Sequence, residues 1–261
     1  MKPSNTLRVA IIQSDLFWED PYKNRAQFES KIAPLHPDID LIILPEMFTT
    51  GFSMSAKKLA ETMKGQTVSW MQKIAKEKNC AITGSCIIRE SESYYNRLLF
   101  VHPTGEIDFY DKRHTFTLAR ENQVYCSGME QVIINYKNWN ICPLICYDLR
   151  FPVWSRNTAP YDVLIYVASW PKPRIDAWDI LLQARAIENM SYTIGVNRIG
   201  MDANNYRYPG HSSGYDFLGT RLAYLKTQEA TIILELKKDI QETHRAKLGF
   251  LNDRDHFKFI T

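Results

Sequence analysis

The sequence predicts an α/β fold, a mixed sheet system with helices on its outside. Short apolar, β-branched runs alternate with segments of helical spacing, and the runs are joined in two ways, some through helices and others through tight turns such as "PTGE" and "DFLG". Antiparallel neighbours need only a short turn, whereas parallel ones need a crossover, so both kinds of pairing are expected.

The elements follow in order. "TLRVAIIQ" is a β-branched run and "PYKNRAQFESKIAPL" has helical spacing, while "DIDLIILPEMF" is an apolar run that stops at proline and glutamate. "TVSWMQKIAKEKN" reads as a helix, and "CAITGSCIIRE", "YYNRLLFVHPTGEIDFYDK", "QVIINYKNWNICPLICYD" and "YDVLIYVASW" read as strands. The helix "IDAWDILLQARAIENMS", the strand "YTIGVNRIG" and a closing set, "SSGYDFLG", "TRLAYLK" and "ATIILELKKDIQETHRA", complete the chain. No Pro/Gly/Ser-rich or low-complexity stretch divides it, so residues 1–261 are expected to form a single domain.

Composition narrows the partners. With 45% hydrophobic residues the chain can bury a large core, and its 261 residues only modestly exceed the roughly 100–200 typical of one domain. The 32 basic and 29 acidic residues leave a net charge of +3, too balanced to give nucleic acid or an anionic membrane an electrostatic reason to bind. "MKPSNTLRVAIIQSD" has neither the long apolar region nor the small-residue cleavage site of a secretory signal, and no apolar stretch approaches the ~18 residues of a membrane span. A soluble, cytoplasmic protein is the expectation.

The five cysteines, Cys80, Cys86, Cys126, Cys142 and Cys146, are an odd number without an export signal, so thiols are expected instead of a disulfide framework. Zinc is a poor reading, because Cys142 and Cys146 have no second Cys or His pair at finger-like spacing. No metal or organic cofactor is expected.

Three apolar runs end in a residue that can do chemistry. They are Glu46 in "LIILPEMFTTGF", Lys112 in "IDFYDKRHTF" and Cys146 in "WNICPLICYDLRFP", a carboxylate, an ammonium and a thiol at positions where side chains leave a sheet for its loops. Each also has a bland reading: a packed cysteine, a strand-terminating glutamate, and a lysine in a solvated charged edge with Asp111 and Arg113. His114 and His211 are the candidate histidine partners, yet neither stands in a Cys-His protease context.

Taken together, "LPEMFTTGF", "YDKRHTF" and "CYDLRFP" resemble the glutamate, lysine and cysteine motifs of the nitrilase, or carbon–nitrogen hydrolase, superfamily, in that family's order. The likeness runs from "RVAIIQSD" to "SSGYDFLG", and the compact length with "YDKRHTF" and "CYDLRFP" looks most like the omega-amidase branch. Glu121 in "LARENQVYCSG", otherwise an exposed loop acid, resembles the family's second, structural glutamate. The resemblance implies a four-layer αββα sandwich whose outer helices mediate a homodimer. Two features depart from the pattern: a short segment after Lys112, and a phenylalanine in "GHSSGYDFLG" where proline is common.

The chemistry is coherent in its own right. A free thiol with a pKa of about 8.5 is a poor nucleophile at neutral pH and needs a base or a positive field. Glu46 can take its proton and Lys112 can favour the thiolate. Lys112 and the Tyr147 backbone N–H can stabilise the oxyanion, and Glu121 can hold Lys112 in place. Arg150, one helical turn beyond Cys146 if "DLRFPVW" begins a helix, suits a substrate carboxylate, or else pairs with Asp148 or another acid. Phe116, Ser169 and Trp170 are candidate pocket walls.

The function expected is a cysteine-dependent amidohydrolase that releases ammonia from a small carboxylated amide. The omega-amidase-like resemblance implies 2-oxoglutaramate or 2-oxosuccinamate, through a thioester. Alternatives are an N-carbamoyl hydrolase, a nitrilase, a deaminated-glutathione amidase, a cysteine acyltransferase, or a non-catalytic binding role for the same fold.

Overall fold

The computed structural model describes residues 5–259. The first half of the chain runs β1 (Thr6–Gln13), α1 (Pro21–Ile32), β2 (Leu41–Ile43), a short α2 (Ala56–Leu59), α3 (Gln66–Lys78), β3 (Ala81–Glu90), β4 (Ser93–Val101) and β5 (Ile107–Asp111). The second half runs β6 (Ile134–Tyr136), β7 (Trp139–Ile145), a short α4 (Pro152–Ser155), β8 (Val163–Ala168), α5 (Ile175–Asn189), β9 (Tyr192–Asn197), β10 (Ile199–Met201), β11 (Arg207–Pro209), β12 (Ser213–Tyr215) and β13 (Arg221–Tyr224). The last strand, β14 (Ala230–Lys237), precedes α6 (Lys238–Leu248).

Two six-stranded sheets result, ordered β14-β1-β2-β3-β4-β5 and β13-β12-β9-β8-β7-β6. In each, the crossovers give parallel pairs, β1 with β2 and β2 with β3 in the first sheet, and β7 with β8 and β8 with β9 in the second. The tight turns give antiparallel hairpins: "PTGE" joins β4 to β5, and Lys137 and Asn138, both left-handed at φ 47° and 67°, join β6 to β7. The expected α/β class with mixed sheets is what the chain adopts.

Alternation along the strands explains why the sheets stack. In β1, Leu7, Val9 and Ile11 enter the core shared with the second sheet, while Ala10 and Ile12 face the opposite way, onto Phe28 and Ile32 of α1 and Met71 and Ile74 of α3. Both faces are covered, so residues 9–12 of β1 and all of β2 read as unbroken apolar runs. On the far side, α5 lays Trp178, Leu182 and Ala186 on the second sheet. A Cβ at Gly195 of β9 would stand 2.4 Å from Leu182 Cδ1, so glycine sets how closely α5 approaches. The layers are therefore helix, sheet, sheet, helix.

Asp20 caps α1 by accepting from the Lys23 amide, with Pro21 in the first turn, and Asn79 closes α3 in the left-handed conformation at φ 52°. The phenylalanine in "DFLG" fills space in the core. Phe217 is buried with its ring edge-on to Tyr192 at 5.3 Å, while Gly219 at φ 85° makes the turn back to Asp216. "YTIGVNRIG" is not one strand: it divides at Arg198, whose guanidinium folds inward beneath Tyr208, and the small β10–β11 hairpin follows.

Candidate active site

Parallel strands aim their carboxyl ends at one edge of a sheet, and here the edges of both sheets meet. Glu46 lies just beyond β2, Cys146 directly after β7, Ser169 directly after β8, and Lys112 directly after β5. The cysteine turn is sharp. Cys146 has φ 44°, rare for a residue with a side chain, and residues Cys146–Arg150 wind into a 3-10 turn. Tyr147 is the second residue of that turn, ahead of its first internal hydrogen bond, so its N–H is left for another acceptor.

Beneath Cys146 is a buried charged cluster. Lys112 Nζ lies 2.9 Å from Glu46 Oε1 and 3.0 and 2.9 Å from the two Glu121 oxygens, and all three side chains are buried. The carboxylates are fully held. Ser169 N donates to Glu46 Oε2 at 2.8 Å, Phe116 N donates to Glu121 Oε2 at 2.5 Å, and Asn96 Nδ2 bridges Glu46 and Glu121 at 2.8 and 3.2 Å.

Burial alone would lower the Lys112 pKa, yet Glu121 and Glu46 together outweigh it and hold the ammonium above its ordinary value, so it stays charged. Burial raises Glu121, opposed by Lys112. For Cys146, burial and the neighbouring Glu46 charge push the thiol well above its usual range, against the pull of Lys112 and the Ser169 amide. The expected thiolate-favouring effect of Lys112 is thus present but smaller than the opposing effects. The resting cysteine is a thiol.

A cavity of about 700 Å³ opens above the cluster and brings together Lys112, Phe116, Cys146, Tyr147, Arg150, Ser169 and Trp170. Of the residues proposed from the sequence for the site, these seven line the cavity, while Glu46 and Glu121 lie buried under it. Arg150 Cζ sits over the Trp170 ring at 5.0 Å, and among the described residues no carboxylate pairs with it. Asp148 is not its partner. That carboxylate is buried and accepts from Ile145 N at 3.0 Å, Tyr110 Oη at 2.8 Å, His114 N at 3.0 Å and His114 Nδ1 at 2.8 Å.

His114 and His211 stand outside the cavity, His114 stacked on Phe151 and His211 hydrogen-bonded through Nδ1 to Asp179 and Tyr224. The other cysteines are free thiols, Cys80, Cys86 and Cys142 buried and Cys126 exposed. Among the described residues no group of three or more His, Cys, Asp or Glu side chains is arranged to hold a metal ion. No helix among them is long and apolar enough to cross a membrane.

Asn96 and Asp148 were not foreseen. Asparagine is disfavoured inside a strand, so Asn96 between the aromatic and aliphatic residues of "YYNRLLF" was the available signal.

A thiol, a carboxylate and a fixed ammonium at the foot of one cavity are groups suited to acyl transfer, and comparison with known proteins shows the family. The carbon–nitrogen hydrolase family model matches residues 8–245. The chain belongs to this family. The hydrolase is 40% identical over 253 residues to omega-amidase YafV of Escherichia coli (strain K12), covering 97% of this chain and 98% of that one. It is 33% identical over 240 residues to 2-oxoglutaramate amidase of Bacillus subtilis (strain 168), covering 90% and 92%. Among solved structures, XC1258 of Xanthomonas campestris, a CN-hydrolase superfamily protein with an arsenic adduct in its active site, superposes with a TM-score of 0.95 at 39% identity, covering 97% of this chain and 99% of that one. The hydrolase is thus an amidohydrolase of the nitrilase superfamily, omega-amidase-like, acting on carbon–nitrogen bonds other than peptide bonds.

Proposed function

We propose that the hydrolase is an omega-amidase that releases ammonia from a short carboxylated amide, 2-oxoglutaramate or 2-oxosuccinamate, through a thioester on Cys146. The observation that carries this reading is an arginine without a carboxylate partner among the described residues, Arg150, in the same cavity as Cys146 and Lys112. The names of the Escherichia coli and Bacillus subtilis relatives support it.

The steps follow from the geometry. The substrate carboxylate rests on the Arg150 guanidinium, which presents its amide carbonyl to Cys146 Sγ. Because the resting group is a thiol, Glu46 takes its proton as sulfur attacks, so a free thiolate need not accumulate. Lys112 Nζ and the Tyr147 N–H stabilise the oxyanion. As the carbon–nitrogen bond breaks, protonated Glu46 delivers its proton to the departing ammonia and leaves the acyl group on sulfur. Glu46, again a carboxylate, takes a proton from water, which attacks the thioester; as the carbon–sulfur bond breaks, Glu46 returns that proton to sulfur, and the acid and the thiol are released. Glu121 and Asn96 act through Lys112 and Glu46, fixing both before substrate arrives.

The same reading takes residues 1–261 as one catalytic domain and the working unit as a homodimer. The exposed Ile180 and Ile187 on α5 are available to a second copy. Ammonia release from 2-oxoglutaramate, 2-oxosuccinamate, glutamine, a carbamoyl amino acid and a nitrile tests the proposal. Preference for the two oxo acids supports it, and preference for the carbamoyl compound or the nitrile overturns it.

A further inference from the structure

The charges lining the cavity do not balance. Its two acids outside the buried cluster are already engaged: Glu19 accepts from Lys58 at 2.9 Å and Ser53 at 2.7 Å, and Asp202 accepts from Tyr208 Oη at 2.9 Å and from the Asn204 and Tyr206 amides at 2.8 and 3.0 Å. Arg150 has a companion in the opposite condition. Arg174 also lines the cavity, and neither guanidinium makes an ion pair or a side-chain hydrogen bond among the described residues.

Each guanidinium is instead mounted on an aromatic wall. Arg150 lies over Trp170 at 5.0 Å, and Arg174 lies over Phe116 at 5.1 Å. Trp170 ties the two together, because its ring supports Arg150 while its Nε1 donates to the Arg174 backbone oxygen at 2.7 Å. A guanidinium with free donors, fixed against a ring at the rim of a pocket, is arranged for an anionic or oxygen-rich ligand group. One carboxylate accounts for one of these arginines.

Resting on the amidase reading above, we infer that Arg174 is the specificity-determining residue of this pocket: it receives the 2-oxo oxygen of a substrate whose carboxylate rests on Arg150, and it repels amides bearing an ammonium at that carbon. The 2-oxo oxygen adjoins the carboxylate, so one guanidinium over Trp170 and one over Phe116 grip the two acceptors together. A 2-amino acid amide such as glutamine presents a cation at the same place. Like charges in a desolvated pocket repel, which excludes glutamine without any steric block.

Steady-state kinetics on the full-length enzyme with 2-oxoglutaramate, glutaramate and glutamine tests this assignment. Arg174→Gln should lower kcat/KM for 2-oxoglutaramate by about 10–100-fold, the loss of a charge-assisted contact. Glutaramate, with no 2-oxo group, should fall less, so the ratio between the two drops at least about tenfold, and Arg174→Lys should restore part of it. Arg174→Glu should raise the ratio of glutamine to 2-oxoglutaramate turnover by about tenfold or more, reversing the sign of the local charge. Equal losses on 2-oxoglutaramate and glutaramate, or no loss on either, overturn the role of Arg174 while leaving the amidase intact. A wild-type enzyme that hydrolyses neither acid overturns the amidase reading itself.

Discussion

The hydroxyl of Tyr110, on the strand that leads into Lys112, donates to the carboxylate of Asp148, in the turn that Cys146 begins, at 2.8 Å. One buried hydrogen bond therefore joins the lysine strand of the first sheet to the cysteine turn of the second. Trp154 Nε1 and the Arg113 amide donate to the same hydroxyl at 3.0 and 3.1 Å, and Asp148 in turn accepts from the Ile145 amide at the strand end. The link couples the position of the cysteine turn to that of the strand leading into Lys112.

Tyr110→Phe keeps the ring in the core and removes only the link. It should cost about 1.5–3 kcal/mol of stability, read as a lower denaturation midpoint. It should also lower kcat more than KM changes, since the loss falls on alignment instead of substrate contact. An unchanged kcat would mean that the cysteine turn holds its position without Asp148.

Lys112 has a double role in the account, so its removal has two readouts. Lys112→Met should reduce kcat by about 10²–10³-fold or more. Because it strands Glu46 and Glu121 together without their shared cation, it should also destabilise the fold by about 3–5 kcal/mol. The two buried carboxylates around Nζ are the reason to expect the loss of stability. Activity within a factor of about three of wild type would reduce the lysine to a structural charge.

The raised Cys146 pKa sets a pH dependence. A thiol held above its ordinary value of about 8.5 is protonated at neutral pH and ionises only in the alkaline range. Iodoacetamide should therefore label Cys146 slowly at pH 7 in the free enzyme, with a rate that rises only above about pH 8.5, while exposed Cys126 reacts first. Rapid labelling of Cys146 at pH 6, followed by peptide mapping, would show a preformed thiolate and contradict the thiol resting state.

How far the site was legible in the sequence depends on where each residue's partners lie. Glu46, Lys112 and Cys146 each end an apolar run, and a polar group at a strand end is visible without knowing what faces it. Asn96 and Asp148 are different. Asn96 is recognisable as a bridge only after β4 is set in register against β3 and β5, and Asp148 only after the two sheets are stacked. Arg174 was passed over because it precedes α5 in a stretch that reads as surface, and only the fold brings it to Phe116. The break at Arg198 was hidden for the same reason, since an arginine that turns inward looks like any strand residue in "YTIGVNRIG".

Arg150 is expected to select for acid. Arg150→Lys keeps the charge and loses the planar fork, and Arg150→Met loses both, so kcat/KM for a carboxylated amide should fall by roughly 10–150-fold in the methionine variant. A neutral amide of similar length should lose much less. Equal losses on the two substrates would mean that the guanidinium over Trp170 supports the cysteine turn instead of the substrate.

The most direct test of the thioester is mass spectrometry of the enzyme quenched in acid during turnover of 2-oxoglutaramate, with the modified peptide located by digestion. An acyl group is expected on Cys146, absent from a folded but inactive Cys146→Ala enzyme and retained in enzymes lacking Cys80, Cys86, Cys126 or Cys142. Added amines should leave the product a free acid. Ammonia release at the wild-type rate from Cys146→Ala, or an acyl group found on another residue, would contradict a thioester on Cys146.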